Sequence, residues 1–256
     1  MLLLLFMRLP RFIAVPGVRA SQYFHGLFGF ELVDRKPQKP PDPTIKDAEF
    51  YQPLLQPWLM PEWKRRLRVD DPRSLVSVQS RYVLYCLASD AARRCNGHIA
   101  ECGVYKGGTA KILAELIPDR PIYLFDTFTG MPEVDPTLDR HKAGDFADTS
   151  IESVRAYLCE HKNVTCMPGL VPASLSAVAD RAFSFVHVDL DIYTAIKSAC
   201  EFFYPRVQPG GFMLFDDYGF PSCPGAREAV DEFFADKPEV KICLMTGQCS
   251  VQKLPL

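Results

Sequence analysis

From residue 98 onward, short apolar runs alternate with stretches of helical periodicity. Strand-like runs fall at 98–102, 121–126, 164–167, 183–189, 211–216, 238–244 and 248–254. Helix-like stretches lie between them at 108–117, 150–161, 172–180, 192–203 and 225–236, and a longer one covers 74–97, where Gly97 is placed to end it. Repeated β-α alternation predicts an α/β fold with a mostly parallel sheet and helices on both faces. Only a short turn at Thr246-Gly247 joins the last two runs, so they must pair as an antiparallel hairpin.

Two of these runs end in carboxylates. FSFVHVDLDIY (183–193) carries Asp189 and Asp191, and GFMLFDD (211–217) carries Asp216 and Asp217. Ligands of an open α/β sheet bind at the carboxyl ends of its strands, where Asp189, Asp216 and Asp217 would lie. Crowded carboxylates repel and raise one another's pKa unless a cation sits among them. Oxygen-only ligands with room for water suit Mg²⁺. In a purely structural role Asp216-Asp217 would cap a turn, and Asp191 fits the N-cap of the helix that follows.

A glycine-rich turn, ECGVYKGGTAKIL (101–113), stands between the first strand and its helix. Glycines let the backbone approach a ligand, and the helix start offers free N–H groups. The spacing of Gly103, Gly107 and Gly108 is not the GxGxxG of dinucleotide binders. Asp126 ends the second strand 23 residues after Gly103 (126 − 103). That is where a doubly wound domain bonds a ribose diol, although an acid there could also cap a turn. Together the two signals point to a ribose-containing cofactor.

The motifs ECGVYKGG, DTFTGMP, GDFADTS, DLDIY and PGGFMLFDDYG occur in that order. Over roughly 98–236 the sequence resembles the TylF/MycF (macrocin O-methyltransferase) family. The resemblance implies a Rossmann-like class I methyltransferase fold, a seven-stranded sheet with an antiparallel last strand. It implies S-adenosylmethionine and Mg²⁺ as cofactors. By matching motif, Glu101, Gly103 and the following loop (Tyr105, Gly107, Thr109) would line the methionine part of the cofactor. Asp126 would hold the ribose, the Pro168-Gly169 turn would lie near adenine, and Asp189, Asp216 and Asp217 would bind the metal. The sequence departs from the family pattern at Leu190, where many relatives have glycine, and at Ile192, where an aromatic residue or Met is common. Those differences bear on the pocket and its acceptor more than on the metal.

The implied reaction is O-methylation of a hydroxyl of a sugar or glycosylated natural product, with Asp189 as both metal ligand and base. The same chemistry on a catechol or phenol is the alternative reading. Further from it stand a nicotinamide-dependent oxidoreductase and a membrane-attached binding module that has kept the fold. His187 alternates inside a buried strand and reads as a core residue. His141 lies in a long polar loop (134–149) that reads as a lid, near a substrate or simply solvated. Lys106 and Lys197 read as solvated.

The net charge of −2 gives no footprint for nucleic acid. Nine cysteines without a CxxC or zinc-type spacing read as reduced thiols of a cytoplasmic protein. The first 73 residues hold 10 of the 22 prolines and read as an apolar, Pro-rich arm and linker ahead of a methyltransferase domain at 74–256. MLLLLFM is too short to span a bilayer, and its basic residues follow the apolar run instead of preceding it. Residues 1–20 are expected to contact a membrane surface or a second subunit. Trp58, Trp63, Phe50, Tyr51 and Leu55 are expected to fold over the main domain and help wall its site. The expected partners are a small-molecule hydroxyl acceptor and further copies of the chain.

Overall fold

The computed structural model describes residues 56–255 of the chain. Phe50, Tyr51, Leu55 and the whole 1–20 segment lie outside the described residues. A compact unit spans Pro57–Leu256. It opens with a short helix, α1 (Pro61–Arg66), and a long one, α2 (Val78–Arg94). Then β1 (His98–Cys102), α3 (Gly108–Leu116), β2 (Ile122–Asp126), α4 (Ile151–Tyr157) and β3 (Val164–Pro168) follow in alternation. After them come β4 (Phe183–Val188), α5 (Tyr193–Phe203), β5 (Val207–Phe215), α6 (Pro224–Phe233), β6 (Lys241–Cys243) and β7 (Cys249–Gln252).

The strands form one seven-stranded sheet in the order β3-β2-β1-β4-β5-β7-β6. Pairings from β3 through β5 are parallel, and β7 runs antiparallel to both β5 and β6. The chain winds outward from β1 to β3, then returns to start β4 on the other side of β1. Order therefore reverses between β1 and β4, the point at which a crevice opens above the sheet.

Burial explains why these runs form a sheet. All six residues of β4 are buried, as expected of a central parallel strand covered on both faces. On one face Val186, Val188 and Phe215 pack against Ile196, Cys200 and Phe203 of α5 and Ala229 and Val230 of α6. On the other, Ile99, Leu124, Phe185 and Leu214 pack against Leu84 and Ala88 of α2 and Ile112 and Leu113 of α3. All nine cysteines are unpaired thiols. Among the described residues no helix is long and apolar enough to cross a membrane.

Some boundaries differ from the sequence expectation. The 74–97 stretch yields a helix capped by Ser77, whose hydroxyl accepts the Ser80 N–H at 3.1 Å. It stops at Arg94, with Cys95 already extended, so Gly97 is not its terminator. Gly97 is required by crowding instead: a Cβ there would lie 2.4 Å from the backbone of Phe183. The 172–180 stretch forms only a 3-10 helix, Ala173–Val178, in which the Ser176 hydroxyl bonds the Ala173 carbonyl. Trp58 and Trp63 pack edge-on against Tyr82 (5.8 and 4.8 Å), and Trp63 also meets Tyr85 (5.2 Å). They cover α2 instead of walling the crevice.

Candidate active site

At the carboxyl ends of β1, β2, β4 and β5 lies a cavity of about 490 Å³. That size suits a small-molecule ligand. Gly103, Tyr105, Thr109, Asp126, Gly169, Asp189, Asp216 and Asp217 all line it. So do residues the sequence did not single out, among them Leu75, Met131, Phe146, Leu170 and Phe220.

The glycine turn is built by close approach. Gly103 has φ +86°, and a Cβ on it would fall 1.6 Å from the Asp189 carbonyl oxygen, so only glycine fits. Tyr105 adopts φ 50°, a left-handed conformation that a bulky residue rarely takes. Asp126 holds the turn in place. Its Oδ2 accepts the N–H groups of Val104 (2.7 Å) and Tyr105 (2.8 Å), and its Oδ1 accepts that of Phe128 (2.7 Å). The Thr127 hydroxyl also lies 3.4 Å from Oδ1, but its one proton is better placed on the Gly130 carbonyl at 2.7 Å. Of about four acceptor sites on the carboxylate, one is therefore left for a ligand hydroxyl. The Gly169 N–H bonds the Asp126 carbonyl at 2.9 Å, tying the β3 turn to β2.

Two residues of the expected cofactor set stand back from the cavity. Gly107 is the left-handed N-cap of α3, facing Val154 and Tyr157. Glu101 is fully buried beneath the floor, with Oε1 2.9 Å from His187 Nδ1 and Oε2 without a partner. His187 continues toward Asp216, with Nε2 3.5 Å from Oδ1. Burial works to lower the His187 pKa, but bonding to Asp216 and Glu101 outweighs it and brings the value up to about 9. His187 is thus a paired core residue that links the floor to an acid.

Asp189, Asp216 and Asp217 each offer a carboxylate oxygen, all within 4.8 Å of one another. Asp216 also accepts the Gln248 side-chain amide at 2.6 Å, and Asp217 accepts the Asp191 N–H at 2.9 Å. Burial pushes the Asp189 and Asp217 carboxyls well up, and the neighbouring carboxylates push the same way. Among the described residues their ion-pair partner is His187 on Asp216, and no Lys or Arg reaches the three. An oxygen-only set short of positive charge fits a hard divalent cation such as Mg²⁺.

Asp191 does not cap α5, contrary to the sequence expectation. It turns at φ 61°, and Ile192, with no side-chain acceptor, takes the cap position. The cap comes from elsewhere: Asp139, in the long loop, accepts the Tyr193 N–H at 2.9 Å. Asp191 instead meets His141 of that loop and Cys223. His141 and Cys223 both line the cavity, and only His141 carried a sequence signal.

A doubly wound sheet with an antiparallel last strand, a glycine turn and an acid-rimmed crevice defines a class I, Rossmann-like methyltransferase fold. Solved structures agree: the O-methyltransferase NovP superposes with a TM-score of 0.65 at 22% identity, covering 72% of this chain and 84% of that one. The calicheamicin methyltransferase CalS11 gives 0.56 at 21%, covering 75% and 93%. The chain belongs to the macrocin-O-methyltransferase (TylF) family, whose sequence profile matches residues 64–244. The 8-demethyl-8-(2,3-dimethoxy-alpha-L-rhamnosyl)-tetracenomycin-C 4'-O-methyltransferase of Streptomyces olivaceus is 28% identical over 165 residues, 58% of this chain and 62% of the relative. The mycinamicin III 3''-O-methyltransferase of Micromonospora griseorubida is 26% identical over 167 residues, 58% and 65%. The chain thus spans under two thirds of these relatives' length.

Proposed function

We propose that the chain is an S-adenosylmethionine- and Mg²⁺-dependent O-methyltransferase acting on a hydroxyl of a sugar or glycosylated natural product. One observation carries the reading: the glycine turn with Asp126 and the three carboxylates face the same cavity. Family membership and relatives described as O-methyltransferases support the reaction and the sugar acceptor.

When bound, the cofactor supplies an electrophilic methyl on a sulfonium, and the metal lowers the pKa of a nearby hydroxyl and orients it. The backbone at Gly103–Tyr105, with Thr109, would bound the methionine end. Asp126 would offer its remaining acceptor site to a ribose hydroxyl, and the Gly169 turn would lie near the adenine. Asp189, Asp216 and Asp217 would hold the metal. Asp189 would also take the proton released when the acceptor hydroxyl becomes an ether oxygen, and later give it to solvent. The Glu101-His187-Asp216 chain fixes the direction of the Asp216 carboxylate. Leu190 and Phe146 add apolar surface to the lining of the cavity.

The nine unpaired thiols support a reducing, cytoplasmic setting. We assign residues 1–20 to contact with a membrane surface or a second subunit, outside the catalytic domain, and expect the chain to form a homo-oligomer. The decisive experiment is methyl transfer to a glycoside acceptor in chelator, followed by added Mg²⁺. Activity should vanish and return. Full activity in protein shown to be metal-free would overturn the metal part of the reading, and failure to bind S-adenosylhomocysteine would overturn the cofactor.

A further inference from the structure

We propose that His141 Nε2, Asp191 Oδ1 and Cys223 Sγ form a second metal site, of transition-metal type and suited to Zn²⁺, beside the three carboxylates. The three atoms make a closed triangle. His141 Nε2 lies 3.4 Å from Asp191 Oδ1, Cys223 Sγ lies 3.5 Å from His141 Nε2, and Cys223 Sγ lies 3.4 Å from Asp191 Oδ1. Zinc bonds of about 2.0 Å to nitrogen and oxygen and about 2.3 Å to sulfur, at tetrahedral angles, give ligand–ligand edges of about 3.3–3.6 Å. The observed triangle has the dimensions of one face of that tetrahedron.

Hydrogen bonds cannot occupy all three edges at once. The triangle has three edges, whereas the thiol brings one proton and the Nε2 position at most one. A cation at the centre satisfies all three acceptors at once. The imidazole is also oriented from behind, with Nδ1 3.3 Å from Asp145 Oδ2, the carboxylate–histidine arrangement that steers a metal-ligating ring. The donor set is nitrogen, oxygen and sulfur, which separates it chemically from the oxygen-only trio.

The ligands come from three separate segments: the β2–α4 loop, the turn after β4 and the residue before α6. Metal binding would therefore fasten the loop to the sheet and to α6. All three residues line the cavity. Binding converts the Cys223 thiol to a thiolate and releases its proton to solvent.

The test uses Co²⁺ as the probe, added to the full chain already saturated with Mg²⁺. One Co²⁺ per chain should give a thiolate-to-cobalt charge-transfer band that Zn²⁺ displaces. Cys223→Ser should abolish the band, and Asp145→Asn should weaken Zn²⁺ binding by about 10–100-fold. X-ray absorption of the wild-type chain loaded with one Zn²⁺ needs no variant, and should show one sulfur at about 2.3 Å with lighter ligands at about 2.0 Å. Co²⁺ bound without the band, a band that survives Cys223→Ser, or a zinc shell without sulfur would each overturn the site. None of those results bears on the carboxylate trio, which the chelator experiment tests separately.

Discussion

Asp139 accepts the N–H of Tyr193 across 54 residues of sequence, at 2.9 Å, and so caps a helix to which it does not belong. The loop thereby serves as the N-cap that Ile192 cannot provide. Asp139→Ala should cost about 1 kcal/mol in chemical unfolding, the usual loss for a missing cap. An unchanged midpoint would mean that water caps α5 equally well.

The same residue should show a pH signature. Burial raises the Asp139 carboxyl above the ordinary carboxylate range, so the folded state keeps this proton longer than the unfolded one does. Its contribution to stability therefore falls as pH rises from the unfolded value of about 3.9 up to the raised folded value. Asp139→Asn keeps the acceptor and cannot ionise. Its unfolding free energy, plotted against pH, should lack that part of the slope, and identical slopes would refute the assignment.

Asp126 should resist even a conservative change. Both of its oxygens accept backbone N–H groups, and an amide keeps only one acceptor. Asp126→Asn should lose about 1–3 kcal/mol through an unmade part-buried bond and weaken S-adenosylhomocysteine binding with it. Calorimetry showing unaltered affinity would send the ribose elsewhere in the cavity.

The acids should not be interchangeable. If Asp189 is both ligand and base as proposed, Asp189→Asn loses both, and no excess of Mg²⁺ should restore turnover. Asp217→Asn would keep one oxygen for the metal and lose only charge, so excess Mg²⁺ should recover part of it. Equal behaviour of the two variants in a metal titration would remove the base role from Asp189.

Because the compact unit begins at Pro57, deletion of residues 1–20 should leave a folded chain that still binds S-adenosylhomocysteine. An aggregated or unfolded product would place that segment in the core.

Local pattern made much of this legible in advance. Strand ends, the glycine turn and three acids at two strand ends are written in consecutive residues, and the sheet brings them together by topology alone. What sequence missed depends on distance along the chain. Asp191 looks like an N-cap because nothing nearby says that Asp139 already fills that role. Gly97 looks like a helix terminator because the backbone that crowds it, at Phe183, arrives from another strand. Glu101 reads as a pocket residue, yet it points down into a buried pairing with His187 that only the β1–β4 register creates. Cys223 carried no signal, since its neighbours His141 and Asp191 are 82 and 32 positions away.

The contact between Gly103 and the Asp189 carbonyl has a consequence for altering acceptor choice. With a Cβ at 1.6 Å from that oxygen, the joint between the two halves of the sheet is made of main chain and offers no side chain to vary. On the proposed function, acceptor preference is more readily altered at the rim, for example at Leu75, Met131, Leu170, Leu190 and Phe220, carried on segments outside the seven strands. A library confined to those five positions would sample acceptors while leaving the joint intact, whereas one that included Gly103 would be spent on chains that cannot close it.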